Sequence, residues 1–259
     1  MKNPITDLEK FRKFLESIPL NNYRQEFKDI KWVEQDLPKE ILPLTSIFSY
    51  YWEERNYLCF DEWFEKFWKE INANPESKQS LSEFKKYFFD KEIEEDGWFK
   101  KGFKARMYRT WISVLTQLDF CYLFEYICAR ENNKLLLECS AELDIKGIDA
   151  KVGEIEFQVA KISQRKEART SGGKKKVITI PYAVFNIEEF KRKSESFRVK
   201  DKEGYKRALY SFSKYFKVLN NGFVVFKEDY LRPIIDNIGS IEKVREIVSR
   251  ISQELSGET

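Results

Sequence analysis

The chain has 259 residues, 42% hydrophobic and 16% aromatic, with 46 lysines and arginines against 43 acidic residues and a formal net charge of +3. That is enough apolar material for a large core in one or two domains. Histidine is absent, which excludes Ser-His-Asp and Cys-His catalysis, His-containing zinc centres and histidine-dependent ββα-metal nucleases, and leaves acid and amide chemistry with a hard metal ion.

The N-terminus, Met1-Lys2-Asn3-Pro4 followed by Asp7, Glu9, Lys10 and Arg12, lacks the apolar run of a signal peptide, and no stretch is expected to reach membrane-spanning length, so the cytoplasm is the expected compartment. Cys59, Cys121, Cys128 and Cys139 have no CxxC spacing. Neither disulfides nor structural zinc are expected of them, and they read as small buried hydrophobes.

In chain order, Leu8, Phe11, Leu15 and Ile18 recur at helical spacing, and Pro38 and Pro43 interrupt the pattern. Trp63, Phe64, Phe67, Trp68 and Ile71 form a bulky apolar stripe that reads as core rather than as a ligand platform. A long helix is expected from about Phe103 to Cys128, with Arg106, Tyr108 and Arg109 near its start able to hydrogen-bond a phosphate or carboxylate. Strands are expected at about Leu135 to Leu137, Asp149 to Val152, Ile155 onward, Val177 to Ala183 and Gly222 to Phe226, with a final helix from Ile241 to Leu255. The expected organisation is a helical region over residues 1–130 and a sheet-containing core over residues 131–259, or one continuous domain. No internal repeat is present.

The segment from Glu142 to Lys161 concentrates the chemistry. Ile155, Phe157 and Val159 alternate with polar residues, Gly153-Glu154 reads as a two-residue turn, and Asp149 to Val152 reads as the preceding strand. That register sets Asp149 opposite Gln158, so Glu156, Gln158 and Ala160 share a face with Asp149 while Phe157 and Val159 face the core. Phosphodiester hydrolysis needs both a generated hydroxide and neutralised phosphoryl oxygens, and a magnesium ion held by one or two carboxylates supplies both. Asp149 is the first choice of ligand, with Asp144 and Glu156 nearby. The competing reading is that all three are ordinary solvated carboxylates at a strand edge.

Downstream, Lys161, Arg165, Lys166, Arg169, Lys174, Lys175 and Lys176 face only Glu167, and Ser171-Gly172-Gly173 marks a loop. Such a loop suits duplex DNA, its lysines on phosphates and Arg165 or Arg169 on guanine, although a solvated charged loop has the same composition. Lys191 to Lys217 interleaves charge with Phe197, Tyr205, Phe212 and Phe216 and reads as an amphipathic helix.

The hairpin resembles the PD-(D/E)xK nuclease signature, in which an Asp on one strand and an acid-x-Lys on the next surround the metal. With Glu156 in the acid position the third residue is Gln158. With Gln158 there, the lysine position falls on Ala160, and the nearest lysine, Lys161, is on the other face of a regular strand unless a bulge turns it inward. Lys151, on the face of Asp149, is the alternative cation. The favoured set is Asp149, Gln158 and Lys161, with Asp144 contributing and Glu156 as an extra metal ligand.

More of the chain is similar to the TaqI family of type II restriction endonucleases. The blocks are Val33-Glu34-Gln35-Asp36-Leu37-Pro38, Ala105-Arg106-Met107-Tyr108-Arg109-Thr110, Phe120-Cys121-Tyr122, Glu142-Leu143-Asp144 with Gly147-Ile148-Asp149, Ile180-Pro181-Tyr182, and Asn221-Gly222-Phe223-Val224-Val225-Phe226. The resemblance implies a restriction-endonuclease-like α/β fold, a mixed central sheet flanked by helices with a largely helical N-terminal region. It implies a homodimeric, magnesium-dependent endonuclease that cuts a TCGA palindrome after the T, alongside a cognate DNA methyltransferase. It also raises Glu34 and Asp36 as acids of the site or of the DNA contact; Arg106 and Arg109 are expected among the DNA contacts from their own chemistry. Where the family has Gln-x-Lys-Lys, this chain reads Gln158-Val159-Ala160-Lys161. The departure at Ala160 sustains an alternative, a DNA-binding protein of the same fold without cleavage.

Overall fold

In a computed structural model of the protein, the described residues are 3–30, 33, 35–87, 96–161, 177–182, 187–196 and 202–257. They form two compact units, Phe11–Leu118 and Met1–Lys10 with Asp119–Thr259.

The first unit is helical. After α1 (Pro4–Ser17), which begins outside it, come α2 (Leu20–Glu26), α3 (Leu44–Phe48), α4 (Phe60–Ala73), α5 (Pro75–Phe84) and the start of α6 (Asp96–Arg130). Of the aromatic stripe on α4, Trp63, Phe64, Phe67 and Ile71 are buried as expected, together with Phe60, whereas Trp68 is half-buried. Phe60 lies 5.3 Å, centroid to centroid, from Trp111 on α6. Each such side chain contributes roughly 2 kcal/mol by leaving water. Helix α5 starts where Asn74 accepts hydrogen bonds from the Glu76 and Ser77 backbone amides, with Pro75 in its first turn.

Helix α6 corrects one expectation. Its stretch Phe99–Arg130 is long and apolar enough to cross a membrane, yet 67% of the apolar window is buried inside the protein. Phe120, Cys121, Tyr122, Leu123 and Phe124 are consecutive and all buried. A helix apolar on every face is the mark of a central core helix as much as of a membrane span.

The second unit holds a four-stranded mixed sheet in the order β1-β2-β3-β4, formed by β1 (Leu137–Glu138), β2 (Ala150–Val152), β3 (Ile155–Lys161) and β4 (Val177–Tyr182). β1 and β3 run antiparallel to β2, and β4 runs parallel to β3. The hairpin has the expected register, Ala150 opposite Phe157 and Val152 opposite Ile155. Gly153 opens its turn at φ +56, a backbone state that glycine adopts without a Cβ clash.

Phe157, Ile178 and Ile180 are buried on one face of the sheet. There Phe120 of α6 meets Phe157 at 5.8 Å and Phe226 at 5.7 Å. The buried Asp119 carboxylate accepts the Phe226 N–H at 2.8 Å, tying α6 to the following hairpin.

That hairpin, β5 (Phe216–Val218) with β6 (Val224–Phe226), is a separate two-stranded sheet. It revises the reading of Lys191 to Lys217 as one amphipathic helix. Two helices occupy the described part, α8 (Ile187–Glu195) and α9 (Lys202–Tyr215), and the chain enters β5 at Phe216. Pairing of Phe216 with Phe226 and Val218 with Val224 outweighs the helical pattern there. Helices α10 (Glu228–Ile235) and α11 (Ile241–Ser256) complete the unit, α11 packing on β4.

The cysteines also depart from expectation. Cys121 and Cys128 are buried, but Cys59 is exposed and Cys139 is half-buried. Cys59 begins α4, where its backbone N–H donates to the Glu62 carboxylate at 3.2 Å.

Candidate active site

Asp144 is not on the hairpin but on the short helix α7 (Ala141–Ile145), whose start is fixed by the Ser140 hydroxyl accepting the Leu143 N–H at 3.3 Å. Gly147, at φ +74, turns the chain back. Ile148 is buried beneath the turn, and Asp149 leads into β2 with only 4% of its surface exposed.

The Asp149 backbone N–H donates to the Phe157 carbonyl at 2.8 Å, so the ladder continues one residue beyond β2. The Asp149 carboxylate Oδ2 then accepts the Val159 N–H just past the end of the paired hairpin. This bond aims the side chain. On the other side, one carboxylate oxygen of Asp144, Oδ2, is buried with no hydrogen-bond partner among the described residues.

Burial lifts the Asp144 carboxyl from 3.8 to about 6. Asp149 is raised well above the usual carboxylate range, first by burial and then by the charge of Asp144, with the Val159 N–H pulling the other way. Two carboxylates that repel each other away from water gain from a cation between them, and their all-oxygen donor set suits a hard divalent ion. Among the described residues, no group of three or more Asp, Glu, Cys or His side chains converges as a metal cage. Ions that keep several waters need no such cage.

Gln158 extends the hairpin register opposite Asp149 and sits beside Thr179 of β4. Its amide Nε2 lies 4.0 Å from where a Cβ on Gly147 would stand, so it overhangs the turn between the two aspartates. Asp144, Asp149 and Gln158 are thus brought together. Glu156 lies one row along the sheet, where Glu138, Lys151 and Glu156 stand side by side across three strands. Lys151 shares the Asp149 face, flanked by these two glutamates.

Lys161 is elsewhere. The pairing of β3 with β4 runs unbroken from Glu156 with Val177 to Lys161 with Tyr182. No bulge interrupts it, so Lys161 falls on the Phe157 face, at the exposed end of the strand. Arg165, Lys166, Arg169, Lys174 and Lys175 lie outside the described residues, as does Glu34. Arg106 and Arg109 lie on α6 within the helical unit.

Glu138 and Thr179 were not singled out from the sequence. β1 is only two residues long, which is too short for a period-2 signal, and a parallel neighbour such as β4 leaves no local trace in the sequence. Behind the site, the thiols of Cys121 and Cys139 are 3.3 Å apart, and the Cys121 sulfur lies 4.0 Å from the Asp149 carbonyl oxygen.

A buried carboxylate pair, Asp149 at the start of the hairpin and Asp144 on the short helix before it, in a chain with no histidine, has the oxygen donors that metal-assisted phosphodiester cleavage uses. Comparison with known proteins identifies the class more narrowly. Residues 8–238 match the family model of the TaqI restriction endonuclease. The type II restriction enzyme TaqI of Thermus aquaticus is 35% identical over 242 residues, covering 88% of this chain and 86% of that enzyme. The type II restriction enzyme TthHB8I of Thermus thermophilus is 33% identical over 242 residues with the same coverage, 88% and 86%. No solved structure matches the chain. The chain belongs to the TaqI restriction endonuclease family and is a type II restriction endonuclease.

Proposed function

We propose that this enzyme cleaves duplex DNA at the palindrome TCGA with magnesium, as a homodimer of restriction-endonuclease-like subunits, and that a cognate DNA methyltransferase protects the same site. The observation that carries the reading is the buried pair Asp144 and Asp149, both raised by burial and, at Asp149, by the neighbouring charge. Asp149 and Asp144 would hold the ion, which when bound neutralises phosphoryl charge and acidifies water. Gln158 orients the site from the neighbouring strand, and Glu156 borders it one row away. The basic segment with Arg165, Lys166, Arg169, Lys174 and Lys175 supplies DNA contacts. Two equivalent centres are what a palindrome cut on both strands demands.

The test is incubation of the purified protein with a plasmid of known sequence and magnesium, with an EDTA control, and mapping of the ends. Discrete ends within TCGA are expected. Ends at another sequence would reject the specificity, and salt-sensitive binding without cleavage would favour the non-cleaving DNA-binding protein that Ala160 suggests.

The cation that positions the attacking water is tested in parallel. Lys151 shares the Asp149 face and Lys161 does not, which supports Lys151 despite the motif spacing. Lys151→Ala should lower kcat by about 100-fold or more, within the range of a missing general acid-base group, and Lys161→Ala by less than about 10-fold. The reverse ranking in single-turnover assays would return the role to Lys161.

A further inference from the structure

Behind the carboxylate pair the fold brings together two thiols that lie 18 positions apart in the chain. Cys121 is on α6 and buried, and Cys139, half-buried, follows β1. Their sulfurs are 3.3 Å apart. Each adjoins one of the segments that carry the aspartates. The Cys121 sulfur lies 4.0 Å from the Asp149 carbonyl oxygen, and Cys139 immediately precedes Ser140, whose hydroxyl fixes the start of α7, the helix of Asp144.

Metal-assisted cleavage leaves this pair without a role, because a hard divalent ion takes oxygen ligands. Oxidation gives it one. A disulfide bond is about 2.05 Å long, so the sulfurs must close by roughly 1 Å to form it. Cys121 is held between the buried side chains of Phe120 and Tyr122 in a close-packed core helix, whereas Cys139 is half-buried and leads straight into α7. Closure therefore falls mainly on Cys139 and on the start of the helix that presents Asp144.

We propose that Cys121 and Cys139 form a modification site, oxidised by a peroxide to a disulfide, and that the crosslinked form slows cleavage by shifting Asp144 relative to Asp149. The proposal rests on the nuclease reading of that carboxylate pair and adds a second site behind it. In the first step the Cys139 sulfur, the one nearer solvent, attacks a peroxide oxygen. The O–O bond breaks, the sulfur becomes a sulfenic acid, and the departing hydroxide takes the thiol proton as water. The Cys121 sulfur then attacks the Cys139 sulfur, the S–O bond breaks, and the second hydroxide leaves with the Cys121 proton as water. Two thiols lose two electrons in all, and hydrogen peroxide becomes two waters.

The test treats the purified, metal-free protein with hydrogen peroxide in a Cys59→Ser background, which removes the exposed thiol and leaves a serine to begin α4. Peptide mapping without reductant should join the peptides of Cys121 and Cys139 with the loss of two hydrogens. Single-turnover cleavage of plasmid DNA with magnesium should then fall by about 10-fold or more, since a displacement of about 1 Å can cost roughly 100-fold, and should return with dithiothreitol. Metal-free duplex binding should be unchanged, and Tm should rise because the crosslink closes a loop. Cys139→Ser in the same background should keep its activity through the treatment.

The proposal is overturned if no disulfide joins these two residues, if the disulfide leaves cleavage as fast as before, if metal-free binding is lost in proportion, or if Cys139→Ser loses as much activity as the parent. Should Cys139→Ser not fold, the parent decides: recovery with dithiothreitol supports the site, and none refutes it. A reduced protein that cleaves no DNA defeats the nuclease reading instead. The modification site then stands only if the disulfide maps to Cys121 and Cys139 and raises Tm reversibly.

Discussion

Asp149→Asn should reduce plasmid cleavage by on the order of 1,000-fold or more while leaving metal-free duplex binding intact. Asparagine keeps the shape of the side chain and an oxygen that can still accept the Val159 N–H, so the end of the hairpin is preserved. What it removes is the negative charge that burial and Asp144 already disfavour in the absence of a cation. The substitution therefore separates chemistry from folding: activity falls, whereas metal-free stability holds or rises. Single-turnover cleavage and thermal melting in EDTA read the two effects. A variant that cuts as well as the parent would remove Asp149 from the centre.

The second large effect is on stability and its dependence on pH. The Asp144 carboxyl is raised from 3.8 to about 6 in the folded protein, so the folded state holds its proton more tightly than the unfolded chain does. The sign follows from linkage. This group does not destabilise the protein below the unfolded value, removes stability progressively as pH rises through the window between 3.8 and about 6, and leaves a constant penalty above it. A shift of that size corresponds to about 3 kcal/mol. Asp144→Asn should therefore stabilise the metal-free protein by up to about 3 kcal/mol near neutral pH, with the gain shrinking toward zero near pH 4. Urea unfolding in EDTA at the two pH values measures it. An equal gain at both, or a loss near neutrality, would mean that Asp144 is not the strained acid the geometry describes.

Divalent-metal protection of the parent should weaken as pH falls through about 6, because protons compete for the same oxygens. Thermal melting with and without magnesium across that range measures it.

Much of this architecture was legible in the sequence where local chemistry decides the outcome. The turn at Gly153-Glu154 and the alternation through Ile155, Phe157 and Val159 sufficed to set Asp149 opposite Gln158, since pairing across a two-residue turn admits one register. The stripe on α4 predicted its own burial at all but Trp68, because helical spacing puts those rings on one face. The missing histidines narrowed the chemistry to carboxylates, and the ordered blocks from Val33 to Phe226 pointed to the family.

Other features depended on packing between distant parts of the chain. Asp144 read both as a contributor to the site and as a solvated strand-edge acid, and its buried oxygen and raised pKa arise where the turn after α7 sets it beside Asp149. The spacing Gln158-Val159-Ala160-Lys161 left room for a bulge, but pairing with β4, which arrives from beyond residue 176, keeps β3 regular and Lys161 on the opposite face. The row of Glu138, Lys151 and Glu156, the hairpin starting at Phe216 and the exposure of Cys59 arise the same way. Periodicity and turn residues encode which face a side chain takes. Which faces lose water, and which charges then confront each other, is settled by the elements that pack against them.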